Sequence, residues 1–282
     1  MYDSSILVLL YNCEIWNSKT LNALKISNTS FYNCKLVIWN NGPHYFSKIG
    51  IKEFESLGFD VEIIQTMENK ALSHIYNKFI NDNTAQRFII LDDDSSIDDT
   101  YLNETLTINE NQIGVPRIYS NSEQTGPLLN GKIYNTKLPL LNSDKFVAIG
   151  SGVVIGKLIT DELKKKYKEV FDSRYYLYGV DTTFFLRVTY CQLNTSIELM
   201  KGFKHSLSRL EDESVETKHF RKLERTYDLG MTLKNYYPIY KTIYFVIKYT
   251  KIYLGHRLTK QDTKLYYKYF IKALWTGKHY RN

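Results

Sequence analysis

Cysteine is scarce in this chain of 282 residues: Cys13, Cys34 and Cys191 show no close pairing and no metal-ligand spacing. An odd count in a chain this long excludes a disulfide-stapled secreted module and points to reduced thiols in the cytosol. No run of about 18 uncharged apolar residues occurs, so no transmembrane helix is expected. The opening Met1-Tyr2-Asp3-Ser4-Ser5 lacks a basic leader and a cleavage site, so no signal peptide is expected either. Internal repeats and low-complexity tracts are missing, apart from a Tyr/Lys bias near the C-terminus. Acid is nearly missing there too. From Tyr236 to Asn282, eight Lys and two Arg face one acid, Asp262, so this stretch carries +9 of a net +7 and the remainder sums to −2. One anionic partner at one end fits that distribution, and nucleic acid spread over the whole surface does not.

What is present is a chain long enough for one large domain, or a domain and an appendage, and 43% hydrophobic, which is enough for a sizeable core. The first half alternates apolar strands with helical segments: strand 6–10, helix 18–26, strand 36–39, helix 52–57, strand 61–64, helix 73–81 and strand 88–91. Short connections between them predict right-handed parallel βαβ units, with ligands bound beyond the carboxyl ends of the strands. Asn12, Asn40 and Asp92 to Asp94 all stand at such ends. Strands are expected at 113–116, 146–149 and 153–155, and helices at 161–170, 181–190 and 216–235. The polar, turn-rich stretch 119–142 reads as a mobile loop. Two helices are expected around Gly255-His256.

Asp92-Asp93-Asp94-Ser95 closes the apolar run Phe88-Ile89-Ile90-Leu91. Adjacent carboxylates repel unless a cation neutralises them. Asp92 and Asp94 alternate along the strand end and present oxygen ligands to one hard divalent ion, which on such a site also holds substrate phosphates. The plainer alternative is a solvated turn with Asp and Ser as helix caps, and 98–106 fits a capped helix. A second signal is Tyr178-Gly179-Val180-Asp181, an acid at a Gly turn before the apolar helix that contains Arg187. Taken alone, it equally fits an N-cap.

Taken together in order, these segments resemble a family 2 glycosyltransferase with the GT-A fold, of the bacterial rhamnosyltransferase type that builds O-antigen and capsule. Tyr11-Asn12 is similar to the first-strand end that opens the nucleotide pocket. The stretch Val37 to Pro43 resembles the family's strand followed by Asp-Asn-Gly-Ser, with Asn40 in place of the usual Asp. Asn69 to Asn77 resembles its loop and helix. Asp92 to Ser95 resembles the Asp-x-Asp motif, Gly150-Ser151-Gly152 the acceptor-side turn, and Tyr178 to Arg187 the segment of the catalytic acid, where Val180 and Thr183 replace acids found in many members. The likeness covers about residues 5–210.

The resemblance implies an α/β GT-A fold, a Rossmann-like mixed sheet flanked by helices, over residues 1–210, with a C-terminal basic helical appendage over 211–282. It implies an inverting enzyme that moves a hexosyl or deoxyhexosyl group from a UDP- or dTDP-linked sugar to a polyprenyl-diphosphate-linked oligosaccharide. Asp181 is then the base. Asp92, Asp94 and His205 hold Mn2+ or Mg2+. Tyr11, Asn12, Asn40, Asn69 and Asp93 contact the nucleotide, and Gly150, Ser151, Gly152 and Tyr178 the acceptor and sugar. Arg187 reads as structural, and His74 as either a diphosphate contact or a packing residue.

In the tail, Lys260, Lys264, Lys268 and Lys272 recur every four residues, a stripe suited to an anionic membrane surface at the inner face of the plasma membrane. Packing of the apolar faces on the globule with solvated lysines is the alternative. Two other functional classes compete. A sugar-nucleotide pyrophosphorylase needs a Gly-rich basic phosphate loop, and Leu10 to Ser18 has neither Gly nor Arg. A non-catalytic carbohydrate- or membrane-binding module would have no need of Asp181.

Overall fold

The computed structural model describes residues 1–46, 50–120, 123–136, 139–205, 214–259, 263 and 265–281, the side chains of 256–259 excepted. Strands β1 (Tyr2–Leu10), β2 (Cys34–Asn40), β3 (Phe59–Gln65) and β4 (Ala85–Asp92) are parallel and lie in the order β3-β2-β1-β4. Helices α1 (Lys19–Ile26), α2 (Ile51–Ser56) and α3 (Leu72–Asp82) connect them, and α4 (Asp99–Thr107) follows β4. The alternation of strand and helix predicted this half.

Side chains along β1 alternate between two cores. Ile6, Val8 and Leu10 join Leu36, Ile38, Ile89 and Leu91 on the face covered by α1 and α4. Leu7 and Leu9 join Val37, Trp39, Phe88 and Ile90 on the face covered by α3. A sheet covered on both faces requires continuously apolar strands, as β1, β2 and β4 are over 6–10, 36–39 and 88–91. Each buried aliphatic side chain contributes about 1.5–3 kcal/mol, so the strand ends are held far more firmly than their polar tips could hold themselves.

The sheet continues beyond β4 as a mixed one. Next come β5 (Ile113–Ser120) and β6 (Glu123–Gly126), a hairpin, then β7 (Leu128–Leu129), β8 (Lys132–Ile133), β9 (Phe146–Val147) and β10 (Val153–Gly156). Strand β10 runs antiparallel between β4 and β5. Strands β7, β8 and β9 form a separate small sheet. The expectation of a mere loop over 119–142 is therefore corrected: this stretch carries three short strands, and of the strand expected at 146–149 only Phe146–Val147 forms, paired with β7 instead of joining the main sheet. Such strands are two to four residues long and lack apolar runs, so they leave little periodic signal.

Helix α5 (Lys157–Tyr167) starts directly from β10 and ends at Lys168, which is left-handed at φ 68°. Helix α6 (Val180–Tyr190) follows, then β11 (Ile197–Lys204), parallel to β5 at the sheet edge and absent from the sequence reading. The C-terminal part holds α7 (Val215–Tyr236), α8 (Ile239–Thr259) and α9 (Tyr267–Thr276). Helix α8 runs through Gly255 to Thr259, and α9 begins at Tyr267. Glycine inside a helix costs only about 1 kcal/mol, whereas Tyr249 stacks near Phe270 at 5.3 Å and Tyr253 on Tyr267 at 4.7 Å, which holds the helix continuous on α9. Tyr227 and Met231 of α7 and Ala273 of α9 belong to the same core as the sheet.

Candidate active site

A cleft of about 1150 Å³ opens at the carboxyl ends of β1 and β4. Tyr11, Asn69, Asp92, Asp93, Asp94, Gly150, Ser151, Tyr178, Asp181 and His205 all line it. Three of the sequence-derived candidates do not. Asn12 is exposed at the turn after β1, left-handed at φ 51°. Asn40 is buried and its side chain is committed internally: Nδ2 donates to the His44 carbonyl at 2.7 Å and to Gln65 Oε1 at 3.1 Å, and Oδ1 accepts from the Gly42 amide. Its neighbour Asn41 lines the cleft instead, and its Oδ1 accepts from the Lys70 amide at 2.8 Å. Gly152 (φ +85°) is a packing glycine: a Cβ there would lie 2.6 Å from Phe203 and 2.7 Å from Pro116.

The acid turn is built from three directions. Ser18 caps α1 by accepting from the Leu21 amide, and its hydroxyl donates to the Asp93 carbonyl at 3.0 Å. Thr20 donates its hydroxyl to the Asp92 carbonyl and accepts from the Ser95 amide at 3.1 Å. The Asp92 amide donates to Ser151 Oγ at 3.0 Å, and Ser151 Oγ meets Ser95 Oγ at 2.9 Å. Strand β11 then delivers His205, whose Nδ1 lies 3.2 Å from Ser95 Oγ and 3.4 Å from Asp94 Oδ1. The helix cap that the plainer reading required is Asp98, which accepts from the Tyr101 amide at 2.9 Å. The carboxylates of Asp92 and Asp94 are thus left for the cleft.

Asp92, Asp94 and His205 each place a ligand atom within 4.8 Å of the others. Two carboxylates at that spacing repel by about 3.5 kcal/mol at an effective dielectric near 20. A neutral hydrogen bond returns only about 1 kcal/mol, so serine contacts do not balance the site. Burial first, then Asp94, Asp93 and Asp181, push the Asp92 carboxyl up to about 7. Asp94 Oδ1 is buried with no hydrogen bond. Two carboxylate oxygens and one imidazole fit a divalent ion of the Mn2+ or Mg2+ class, and the unsatisfied oxygen is the position such an ion would fill.

Asp181 sits in the first turn of α6. Its Oδ1 accepts from the Thr182 amide at 2.7 Å, and its Cβ packs 3.8 Å from the position a Cβ would take on Gly150. Burial raises its pKa, against the lowering effect of hydrogen bonds from Thr182 and Gly150. Gly179 (φ +83°) makes the turn into α6, and any side chain there would collide with Asp228 Oδ1. Asp228 is itself pushed up to about 7, by burial and then by Asp181 and Glu224, against a Thr232 hydrogen bond. Arg187 faces away from the cleft: it is buried, donates to Tyr236 Oη at 2.9 Å, and lies 3.3 Å from Asp172. His74 is exposed, with its ring 6.4 Å from that of Tyr176.

Several lining residues carry no motif. Tyr76, on α3, is a buried phenol whose pKa is raised by burial and then by Asp92 and Asp181. Arg221 and Arg225 of α7 and Arg281 near the C-terminus line the Tyr176–Tyr178 side. The Arg225 guanidinium stacks 4.8 Å from the Tyr178 ring and donates to its hydroxyl at 3.3 Å. Buried Glu224 anchors the terminal segment by accepting from Tyr280 Oη at 2.6 Å and pairing with Arg281 at 3.1 Å and His279 at 3.4 Å. The arginines lie more than 120 positions beyond the acid turn, so only the packing of α7 brings them in.

No family model matches the sequence, and no curated protein matches it. Solved structures do match. The S. aureus TarS fragment 1-349 in complex with UDP-GlcNAc is 13% identical at TM-score 0.53, over 98% of this chain and 80% of that one. S. aureus TarS itself matches at 13% identity and TM-score 0.52, over 83% of this chain and 44% of that one. GalNAc-T7 with UDP, GalNAc and Mn2+ is 12% identical at TM-score 0.50, over 82% and 51%. The chain therefore spans about half or less of the full TarS and GalNAc-T7 chains. Their shared architecture is a mostly parallel mixed sheet with helices on both faces, and this chain has that GT-A fold.

Proposed function

We propose that the protein is an inverting, metal-dependent glycosyltransferase that uses a nucleotide-diphosphate sugar. The observation that carries this reading is the convergence of Asp92, Asp94 and His205 within 4.8 Å in one cleft with the half-buried Asp181. A UDP-linked donor is favoured because S. aureus TarS is seen with UDP-GlcNAc and GalNAc-T7 with UDP and Mn2+.

When bound at Asp92, Asp94 and His205, the divalent ion supplies charge neutralisation for the leaving diphosphate. Asp181 takes the proton from an acceptor hydroxyl. That oxygen forms a bond to the anomeric carbon as the bond to the diphosphate oxygen breaks, and the nucleoside diphosphate leaves with the electron pair. A single displacement inverts the anomeric centre. Tyr11, Asn69 and Asp93 bound the nucleotide side, Asn41 takes the place expected of Asn40, and Gly150, Ser151 and Tyr178 bound the acceptor side. The arginines at 221, 225 and 281 suit an anionic acceptor, since guanidinium groups form strong charge-assisted bonds to phosphate. That supports a polyprenyl-diphosphate-linked oligosaccharide of a surface polysaccharide, O-antigen or capsule. Residues 1–210 would carry the chemistry, with 211–282 closing the acceptor side.

Calorimetry with UDP-, dTDP- and GDP-sugars, with manganese, magnesium or chelator, tests the reading. One pyrimidine diphosphate-sugar is expected to bind only with metal, and Asp94→Ala is expected to lose that metal dependence. A folded protein that binds no nucleotide would return the chain to the class of non-catalytic carbohydrate- or membrane-binding modules.

A further inference from the structure

Helix α8 is apolar on two sides, and only one side is covered by protein. Inward, Thr242 is buried and donates to the Leu233 carbonyl at 3.1 Å, while Tyr249 packs at a tilt against Phe270 and Tyr253 stacks on Tyr267 of α9. Thr250 Oγ1 meets Tyr267 Oη at 2.7 Å on the same flank. At about 100° per residue, Ile239, Ile243, Ile247 and Leu254 fall in one arc of about 80° that borders this flank at Thr250, with Tyr240 and Tyr244 beyond them. Their exposures are 73% for Ile239, 52% for Ile243, 51% for Ile247 and 53% for Leu254. Four aliphatic side chains in one row over four turns make a contiguous patch, unlike the scattered single apolar residues of an ordinary surface.

A contiguous exposed apolar row on a helix marks a contact surface. Something covers the outer row, and the charges say what. Helix α8 contains no acid. Lys251 lies within the exposed arc, Lys248 lies at its edge, both exposed, and Lys241 stands two turns before Lys248 on that edge. A second copy of the chain docking through the same row would bring these lysines against each other, because a two-fold interface pairs each patch with itself. An anionic lipid surface instead accepts the row among its acyl chains and the lysines among its headgroups, with the tyrosines at the boundary. No described helix is long and apolar enough to cross a membrane, so the contact is parallel to the surface.

We infer that the outer face of α8 lies on an anionic bilayer surface through Ile239, Ile243, Ile247 and Leu254, with Lys241, Lys248 and Lys251 at the phosphates. This deepens the proposed transfer to a lipid-linked acceptor by naming the element that brings the cleft to the lipid. It also relocates the contact. Lys260 and Lys264 of the four-residue stripe lie outside the described residues, and the Phe270 and Ala273 side of α9 is buried.

Co-sedimentation of the full chain with phosphatidylcholine vesicles, with and without a third of phosphatidylglycerol, tests it. Binding is expected to the anionic vesicles and to weaken with salt. Replacing both Ile243 and Ile247 with Asp is expected to abolish it. Replacing Lys241, Lys248 and Lys251 with Gln is expected to weaken it by about fivefold per lysine. These side chains are exposed or at the edge, so unchanged thermal unfolding is expected in both variants. Undiminished vesicle binding by the Ile243→Asp, Ile247→Asp protein overturns the inference, as does equal binding to neutral vesicles. Dimerisation that this variant abolishes, with no vesicle binding by the native chain, assigns the row to a second copy and overturns it too. Nucleotide-sugar binding by the same variants reads the cleft separately, so loss of the membrane contact and failure of the transferase reading are distinguishable.

Discussion

Asp181 combines two conditions that a base needs: access to the cleft and a carboxyl raised by burial. A base works only when deprotonated. Because burial raises its pKa, the acid limb of the rate profile is expected above the ordinary aspartate range near 4, with activity falling as pH drops through the raised value. Asp181→Asn is expected to lower turnover by about 10²–10⁴-fold, the range for general-base catalysis, while donor affinity measured by calorimetry stays near that of the native chain. Near-normal turnover in that variant would remove Asp181 from the mechanism. The contrast between Asn40 and Asn41 also belongs to this scale. Asn40 ends β2 and Asn41 is the next residue, yet successive residues point to opposite sides, so one is consumed by Gln65 and His44 while the other reaches the cleft.

Among the elements, α7 has a double role. One side carries Tyr227 and Met231 into the core, and another carries Arg221 and Arg225 to the cleft. Glu224, between them, fixes the terminal segment. Burial alone would raise its pKa, but hydrogen bonds from His279 and Tyr280 and the charge of Arg281 outweigh that, so it is held below the ordinary range and stays ionised at neutral pH. Arg225→Ala and Arg281→Ala are each expected to raise the KM for a phosphate-bearing acceptor by on the order of tenfold, the loss of one charge-assisted hydrogen bond. Donor affinity, read by calorimetry, is expected to stay unchanged. Equal loss of donor affinity would place these arginines on the nucleotide instead. Helix boundaries were legible where capping chemistry was local, as at Ser18 and Asp98. They were not legible at Gly255, where packing on α9 overrides the residue's intrinsic preference.

At the scale of the molecule, the core on the α3 face runs without interruption from β1 through α6 to α7 and α9. A fragment ending at residue 210 would expose that face, so circular dichroism melting is expected to show a cooperative transition for the full chain and its loss in the fragment. A fragment that melts cooperatively at the same temperature would mean that residues 211–282 add nothing to the stability of the sheet. The sequence by itself determined the parallel half of the sheet and the acid turn at its end, because continuous apolar strands, short connections and a triplet of like charges are all local patterns. It also suggested Asp181 and His205, through a resemblance of its segments, taken in order, to a glycosyltransferase family. Tertiary structure alone decided the rest. Strand β11, the small β7–β9 sheet, Tyr76 and the three arginines depend on contacts between residues far apart in the chain. So does the outward row on α8, since which of two apolar sides of a helix is covered is settled by its neighbours and not by its own residues.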